Sequence, residues 1–456
     1  MKVNLEEIAT NLEPFDIYSI FKDENNTAFL DSGRDYQGIG RYSFIGVNPF
    51  LTIKEEARIV LINGVKVKED IFNNLKAILK KYKIENNTEI PFIAGGIGYL
   101  SYDLVRELEE IPANAETDVL IPQVYYNFYD NLIIIDNLKK ETFISAMGIL
   151  KDSFTSIEKI KAKIENGKKV KYKSVTEAVK MEKFSSNLSK DKYLKAVEKV
   201  IDYIKAGDIY IMNLTQRFKC DFEGDSHELY SDLRQVNPAP FSAYMKLDGF
   251  EIACSSPERF LKIAEKKVET RPIKGTRPRG LDQEQDRLLK EELINSEKDK
   301  SELLMIVDLE RNDLSKVCKP NSVKVTELFK IETYATVHHL VANVTGMIKD
   351  EYDVIDCIKA CFPGGSITGA PKIRSMEIIE EIEGLRRNLY TGCIGYLGFD
   401  ESVDLNILIR TIHLKQGKAY FGVGGGITCE SEPEFEYEET LHKGKALMRV
   451  LSNGVD

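Results

Sequence analysis

Residues 270–280 read TRPIKGTRPRG and place one lysine, Lys274, between a proline-bearing turn and Gly275. The rest of the segment supplies arginines and backbone groups, so Lys274 is its one candidate amine nucleophile. A lysine on a tight Gly/Pro segment is held in place and partly desolvated, which favours the neutral, nucleophilic amine. The same letters also describe a surface loop with a solvated charge, and the segment alone leaves that alternative open.

The composition is that of a globular protein with an acidic balance. The 456 residues are 43% hydrophobic and 30% charged, with a formal net charge of -10, which is typical of soluble chains with a substantial core. An acidic chain of this kind is a poor candidate for binding nucleic acid. The seven cysteines form no C-x-x-C pair, so neither a zinc ribbon nor a disulfide framework is expected.

The same reading predicts a cytoplasmic protein. Free thiols suit a reducing compartment. The polar N-terminus lacks the apolar core of a signal peptide. No apolar run approaches the ~20 residues that a membrane helix needs, so we expect no membrane association.

The pattern along the chain predicts two folded segments and a connector. Residues 8–150 read as short β-branched or aromatic strands with polar turns. Residues 151–187 are rich in lysine and glutamate and are interpreted as a helix and a connector. Residues 188–449 mix strands and helices without regular βαβ alternation, which indicates an α+β fold rather than a doubly wound sheet.

Several helices have clear sequence limits. Ser189 can cap a helix that runs with apolar residues at helical spacing and stops at Gly207. A strand over residues 209–218 follows. Further helices are predicted over 282–294, 298–314 and 373–382, and the last one over about 431–451.

The last predicted helix carries an acidic stripe. Ser431 and Glu434 have the spacing of a capping box. Glu436, Glu439 and Lys443 then fall on one face, which indicates either a face lining a wet cavity or a solvated face with ion pairs. Glu302 opens a predicted helix that is apolar all round and therefore buried, so its carboxylate needs a partner or a metal.

Three other features suit recognition of an anion and donation of a proton. Arg410 ends a β-like run and can hold a carboxylate in a bidentate fork, or form a surface ion pair. The glycines at 424–426 allow main-chain N–H groups to face an anion. Glu258 lies in a largely apolar stretch, where burial would raise its pKa and suit it to protonate a departing hydroxyl.

Five segments together resemble the chorismate-binding enzymes. They are residues 255–260 (SSPERF) with 270–280, residues 305–314 (MIVDLERNDL), residues 362–372 (FPGGSITGAPK) and residues 434–443. The resemblance covers most of the chain in the family's order. It implies layered antiparallel β-sheets covered by helices, with an N-terminal mostly-β subdomain.

The resemblance also implies roles for individual residues. Lys274 and Glu258 are implied as catalytic nucleophile and acid. Glu302 and Glu439, with Glu436 less directly, are implied to hold Mg²⁺, which binds the ring carboxylate of chorismate. The implied substrate contacts are Gly275, Thr276, His339, Thr368, Tyr390, Arg410, Gly424, Gly426 and Lys443.

Two positions favour the aminodeoxychorismate branch of the family. The Lys274 position is typically alanine in the anthranilate branch, which releases pyruvate. Ile211 stands where the water-using branches carry a lysine and the amine-using branches usually carry glutamine. Because isoleucine cannot act as a base, a water-using reaction is disfavoured. Asn213 also favours the aminodeoxychorismate branch, which supplies 4-aminobenzoate for folate synthesis.

The N-terminal segment resembles a tryptophan-binding region of relatives. The implied pocket residues are Ser32, Arg41, Pro240, Phe241 and Ser242, and a turn packed on a strand pair is the plain structural alternative. No glutaminase nucleophile is recognised in the chain, so ammonia is expected from a separate glutamine amidotransferase subunit or from free ammonium. The competing functions are anthranilate formation and a non-catalytic sensor of tryptophan or chorismate.

Overall fold

A computed structural model describes residues 2–33, 39–176, 178–334 and 337–453. The ten α-helices of these ranges are α1 (Pro14–Ile20), α2 (Ile71–Lys81), α3 (Ser153–Glu165), α4 (Lys190–Ala206), α5 (Ser226–Val236), α6 (Gln283–Asn295), α7 (Glu297–Val317), α8 (Val354–Cys361), α9 (Lys372–Glu383) and α10 (Pro433–Asn453). Short 3₁₀ turns occupy Tyr102–Glu107, Met181–Lys183 and Gly365–Ile367.

The strands of the same ranges form one connected antiparallel network. They are β1 (Asn4–Ile8), β2 (Ala28–Asp31), β3 (Tyr42–Glu56), β4 (Ile59–Ile62), β5 (Val65–Lys66), β6 (Gly95–Leu100), β7 (Val124–Asp136), β8 (Glu141–Ala146), β9 (Ser185–Ser186), β10 (Ile211–Asp221) and β11 (Phe241–Leu247). The others are β12 (Phe250–Ser256), β13 (Arg259–Ala264), β14 (Lys267–Arg271), β15 (Ile273–Pro278), β16 (Lys324–Thr333), β17 (Val337–Met347), β18 (Gly369–Ala370), β19 (Cys393–Gly398), β20 (Val403–Ile407), β21 (Thr411–Lys415) and β22 (Lys418–Ile427).

The two halves of the chain share this network. In the N-terminal half, β7 lies between β3 and β6 and also pairs with β8. Strand β2 pairs with β11, and β6 pairs with β19, so N-terminal strands extend C-terminal sheets. Stacking of Phe92 on Tyr396, with ring centroids 4.3 Å apart, continues the apolar core across the junction. The fold is therefore α+β with antiparallel layers, as predicted; the segment limits at 151–187 stay a prediction.

Local signals place the helices that frame the site. The Ser189 side chain accepts the N–H of Lys192 and caps α4, which ends at Gly207 in the left-handed conformation. Helix α9 ends in the same way at Gly384. Asp282 caps α6. The predicted starts and stops of these three helices are confirmed to within one or two residues, because capping chemistry is local.

Two helix predictions were wrong in detail. Helix α10 begins at Pro433, since proline suits the first turn, so Ser431 lies before the helix instead of forming a capping box with Glu434. Ser431 Oγ donates to Glu436 Oε1 at 2.7 Å. Helix α7 begins at Glu297, so Glu302 lies inside it, and Leu304 is 44% exposed. Consecutive apolar residues on a helix project their side chains to all sides of it, and here one side of α7 remains in solvent.

Candidate active site

Lys274 lies on β15, where the strand is bent by its neighbour Gly275. The pairing of β15 with β17 shifts register between Lys274 and Thr276. Gly275 has φ +72°, and a Cβ there would lie 2.8 Å from Leu293 Cδ1, so a side chain is excluded. The half-buried Lys274 points its ammonium inward, where Nζ donates to the carbonyl oxygen of Ser366 at 3.3 Å. The solvated-loop alternative is thereby excluded.

Glu258 lies between β12 and β13 and is only 5% exposed. Burial raises the pKa of its carboxyl to about 6, against the opposing effects of a hydrogen bond from the Ser366 side chain and the charge of Lys274. The predicted rise is confirmed. A carboxyl of this pKa still holds its proton in part of the molecules near neutral pH, which suits a proton donor.

Glycines 425 and 426 of β22 mark the point where the acidic groups converge. A Cβ at Gly426 would lie 3.3 Å from Lys274 Nζ and 3.5 Å from Glu302 Oε2. A Cβ at Gly425 would lie 3.3 Å from Glu436 Oε2 and 3.6 Å from Glu439 Oε1. Because Gly425 and Gly426 carry no side chains, space remains beside β22, and the lysine and the carboxylates face it.

The surroundings of these carboxyl groups shift their pKa values in different directions. Burial raises the pKa of Glu302, with Lys274 opposing the rise, and burial also raises that of Glu436. Burial works against ionisation of Glu439 as well, but the charge and hydrogen bond of Lys443, with the charges of Lys298 and Lys274, together outweigh it and lower the Glu439 pKa. Lys443 Nζ lies 2.5 Å from Glu439 Oε1 and donates to the Gly424 carbonyl at 3.0 Å.

The carboxylates fit a hard divalent cation that is shared with a ligand. Within the described ranges, no three acidic, histidine or cysteine side chains stand close enough to form a complete protein cage for a metal. Mg²⁺ ordinarily takes only one or two protein carboxylates and fills its shell with water and ligand oxygens. Glu302 and Glu439, on separate helices beside the two glycines, suit that arrangement.

Arg410 is a half-buried cation with no carboxylate partner among the residues that the structure describes. It lies between β20 and β21 with φ +52°, an uncommon conformation for a non-glycine residue. Its guanidinium pairs with no carboxylate in the part of the chain that the structure describes. Burial lowers its pKa, and the nearby Tyr390 opposes that change. An unpaired arginine of this kind is suited to a carboxylate ligand.

His339 and Thr276 face each other across the β15–β17 pair. Thr276 Oγ1 lies 2.9 Å from His339 Nδ1. Burial, together with the charge of Arg410, lowers the pKa of His339 to about 4. The imidazole is therefore neutral at physiological pH and can act as a hydrogen-bonding partner. His338, by contrast, is fully buried between Thr333 and Asp286, which indicates a structural role.

Tyr390 and Thr368 are also near the site but differ in availability. The Tyr390 ring packs directly on Gly422, where a Cβ would lie 2.3 Å from the ring. The Thr368 hydroxyl donates to the carbonyl oxygens of Gly364 and Gly365 at 3.0 and 3.3 Å. That hydroxyl stabilises its own loop, so a direct contact with a ligand stays a prediction.

Sequence reasoning missed Ser366 as a link between the two catalytic candidates. Its carbonyl accepts from Lys274, and its side chain lies close enough to Glu258 to oppose the rise of the Glu258 pKa. Nothing in the spacing of the chain predicts this contact, because Ser366 lies about 100 residues from both partners. The tight Pro-Gly-Gly run before it was the one available signal.

The side chain of Ile211 lies beside Gly426, as the amine of Lys274 does. Its Cδ1 would be 3.2 Å from a Cβ at Gly426, and the residue is 1% exposed. An apolar group that cannot act as a base therefore lies beside the lysine. Asn213, two residues on, uses its side chain to contact the Ile367 carbonyl.

A cavity of about 300 Å³ lies where the N-terminal strands meet the C-terminal sheet. All five residues that the sequence predicts for a tryptophan pocket line it: Ser32, Arg41, Pro240, Phe241 and Ser242. Arg259 also lines it, directly after Glu258 in the chain. The residues are brought together as predicted, whereas the ligand stays a prediction.

Comparison with known proteins places the chain in a family. Residues 26–449 match the chorismate binding enzymes, so the chain belongs to that family. It is 39% identical to aminodeoxychorismate synthase component 1 of Bacillus subtilis (strain 168), covering 90% of this chain and 89% of the relative. It is 38% identical to anthranilate synthase component 1 of the same strain, covering 94% and 88%.

A solved structure agrees with this placement. Anthranilate synthase component I from Streptococcus pneumoniae TIGR4 superimposes with a TM-score of 0.80 at 29% identity, covering 90% of this chain and 92% of that one. The particular reaction is not decided by these likenesses, because two branches are about equally similar. In the described part of the chain, no helix has the length and apolarity needed to cross a bilayer.

Proposed function

We propose that the protein is an aminodeoxychorismate synthase component I, which converts chorismate and ammonia to 4-amino-4-deoxychorismate and water. The observation that carries the proposal is the position of the Lys274 amine. It is held on a bent strand near the acid Glu258 and beside Glu302 at Gly426. Alanine in place of Lys274 would leave the proposed reaction without its nucleophile.

The proposed reaction has two substitutions. The neutral amine of Lys274 forms a bond to C2 of the ring, the ring double bond shifts, and the C4–oxygen bond breaks. Glu258 gives its proton to the departing hydroxyl, which leaves as water. Ammonia then bonds to C4 and passes a proton back to Glu258, the double bond shifts back, and the C2–nitrogen bond breaks to release the neutral amine of Lys274, so the enolpyruvyl group is retained. Covalent catalysis divides one difficult substitution into two easier ones.

The remaining residues hold the substrate. Mg²⁺, when bound by Glu302 and Glu439, would neutralise the ring carboxylate. Arg410 would hold a carboxylate in a fork, and the glycines of β22 would allow the ring to approach the backbone. Ammonia would come from a separate glutamine amidotransferase subunit, or from free ammonium.

Product analysis tests the proposal. The purified protein is incubated with chorismate, Mg²⁺ and ammonium, and the products are followed by mass spectrometry. Aminodeoxychorismate without pyruvate is the expected result. Anthranilate with an equal amount of pyruvate would instead assign the anthranilate reaction, and absence of turnover with bound chorismate would indicate a sensor. Glutamine in place of ammonium should give no product until an amidotransferase subunit is added.

Removal of the metal is expected to abolish turnover. Chelation should reduce activity to background, and Mg²⁺ should restore it. Glu302→Gln should raise the Mg²⁺ concentration needed for half-maximal activity by at least about 10-fold, because even indirect ligand partners contribute 10- to 100-fold to metal affinity. Glu434→Gln, on the exposed side of α10 where the carboxylate pairs with Lys190, is the matched control. An unchanged Mg²⁺ requirement in Glu302→Gln would contradict the assignment.

The 300 Å³ cavity is proposed to bind L-tryptophan. The chain contains no tryptophan, so fluorescence excited beyond tyrosine absorption reports the ligand alone. We expect its emission to change on binding, and the protein to gain about 2.7 kcal/mol at a ligand concentration 100 times the Kd. Ser32→Leu, which adds bulk to the cavity wall, should remove both effects, while phenylalanine serves as the ligand control. An identical response in Ser32→Leu would place tryptophan elsewhere.

A further inference from the structure

Glu310 is a buried carboxylate that the proposed reaction does not use. It lies on α7, two turns after Glu302, and is 2% exposed. Its Oε1 accepts the backbone N–H of Gly365 at 2.9 Å, and its Oε2 lies 3.4 Å from the hydroxyl of Thr270. Burying a carboxyl is costly unless hydrogen bonds compensate, so these contacts account for part of its placement.

The peptide that Glu310 holds belongs to the loop that joins the two catalytic candidates. Gly365 is followed directly by Ser366, whose carbonyl accepts from Lys274 and whose side chain lies beside Glu258 and opposes the rise of its pKa. A shift of the Gly365 N–H would therefore move both contacts of Ser366. Glu310 also packs tightly against Gly365, because a Cβ on Gly365 would lie 3.0 Å from Glu310 Oε1.

The loop is fixed at its start by a second buried contact. Lys372 donates to the carbonyl oxygens of Cys361 and Pro363 at 3.1 and 2.7 Å and pairs with Asp313. The loop is thus held from α9 at its start and from α7 in its middle. Glu310 holds the peptide directly before Ser366, and Asn213 and Arg387 hold the carbonyl of Ile367 directly after it.

The charge state of Glu310 bears on how it can be tested. Burial raises the pKa of its carboxyl to about 7, with Lys372 opposing the rise and Asp313 and Glu258 adding to it. A large share of the molecules therefore carries the neutral acid at neutral pH. Glutamine has the same shape, keeps an oxygen acceptor and is neutral, so it imitates the form that the site already accommodates.

We propose that Glu310 is a positioning residue for the reaction. It holds the Gly365–Ser366 peptide so that Ser366 keeps the side chains of Glu258 and Lys274 in their relative positions. The inference rests on the proposed function for the roles of those two residues. Glu310 itself touches neither the substrate space nor the reacting atoms. Its contribution is to the geometry of the acid and the nucleophile, where a displacement of 1 Å can cost 10²-fold in rate.

Three variants test the proposal. Glu310→Ala removes the acceptor, and we expect kcat to fall about 10- to 100-fold while KM for chorismate changes less than about twofold. Glu310→Gln keeps the acceptor and should restore kcat to within about threefold of the natural protein. Ser366→Ala removes one of the two contacts that the loop delivers, and should also lower kcat rather than raise KM.

The double variant Glu310→Ala/Ser366→Ala decides whether the effect passes through Ser366. If it does, the loss in kcat is smaller than the product of the two single losses. A fully multiplicative loss, a rise in KM at constant kcat, or a Glu310→Ala protein with normal kcat would each overturn the proposal. If Glu310→Ala does not fold, Glu310→Gln still decides, since a loss of kcat beyond tenfold in a folded Glu310→Gln protein would overturn it.

The readout separates this proposal from the proposed function. Turnover is measured as consumption of chorismate, which is the same whether the natural protein forms aminodeoxychorismate or anthranilate. The identity of the product from the natural protein tests the proposed function, whereas the kcat pattern among the variants tests Glu310.

Discussion

Lys274→Ala is expected to lose at least about 10³-fold in kcat for the formation of aminodeoxychorismate, since removal of a covalent nucleophile commonly costs that much or more. KM for chorismate should change little, because Arg410 and the carboxylates around Gly426 remain. Lys274→Arg should be equally inactive, because it keeps the charge and lacks an amine nucleophile. Lys300→Ala, on the nearby α7 where the lysine pairs with Glu297, is the matched control.

A direct test of the covalent step accompanies this variant. When ammonia is withheld, intact-protein mass spectrometry of the natural protein with chorismate should detect an adduct equal in mass to chorismate less water. Peptide mapping should place the adduct on Lys274, and Lys274→Ala should form none. Retention of full activity by Lys274→Ala would show that ammonia adds to the ring directly and would remove the reason for preferring this branch.

Glu258→Gln is expected to lower kcat about 10²- to 10⁴-fold, the usual contribution of a positioned general acid. The amide keeps the shape and hydrogen bonds of the carboxyl but cannot donate the proton that the C4 hydroxyl needs. Glu251→Gln, on β12 seven residues earlier, removes a carboxyl without touching the site and should behave as the natural protein. Substrate binding, followed separately, should survive in both variants.

The pH dependence follows from the same residue. Because burial raises the pKa of Glu258 to about 6, the proton-bearing form is complete below that value and declines as pH rises through it. The contribution of the acid to kcat should therefore fall towards high pH, by about tenfold per unit well above the pKa. The residual activity of Glu258→Gln should not show this decline. A variant that keeps the wild-type rate and pH profile would exclude Glu258 as the donor.

The sequence predicted those parts of the site that depend on local pattern. Helix α4 was located by its cap and its terminal glycine. The spacing of Glu436, Glu439 and Lys443 placed them on one face of α10 and left open whether that face is solvated. The burial of Glu258 followed from its apolar neighbours. Each of these signals lies within a few residues along the chain, which is the range over which capping and periodicity operate.

The parts that were missed depend on contacts between distant segments. The bridge from Ser366 to Lys274 and Glu258 requires knowledge of how the 361–368 loop meets β15. Glu310 lies within the motif at 305–314, and nothing local in that motif shows that its side chain reaches Gly365. The exposure of Leu304 was missed since an apolar helix run does not reveal which neighbours cover it.

The pairing of β2 with β11 and of β6 with β19 has a consequence for handling the protein. Without residues 1–150, β11 and β19 would each lose a neighbour and present unpaired N–H and C=O groups along their length. Bare edges of this kind recruit strands from other molecules. The N-terminal segment therefore also acts as edge protection, which makes solubility of the catalytic segment a property of the intact chain.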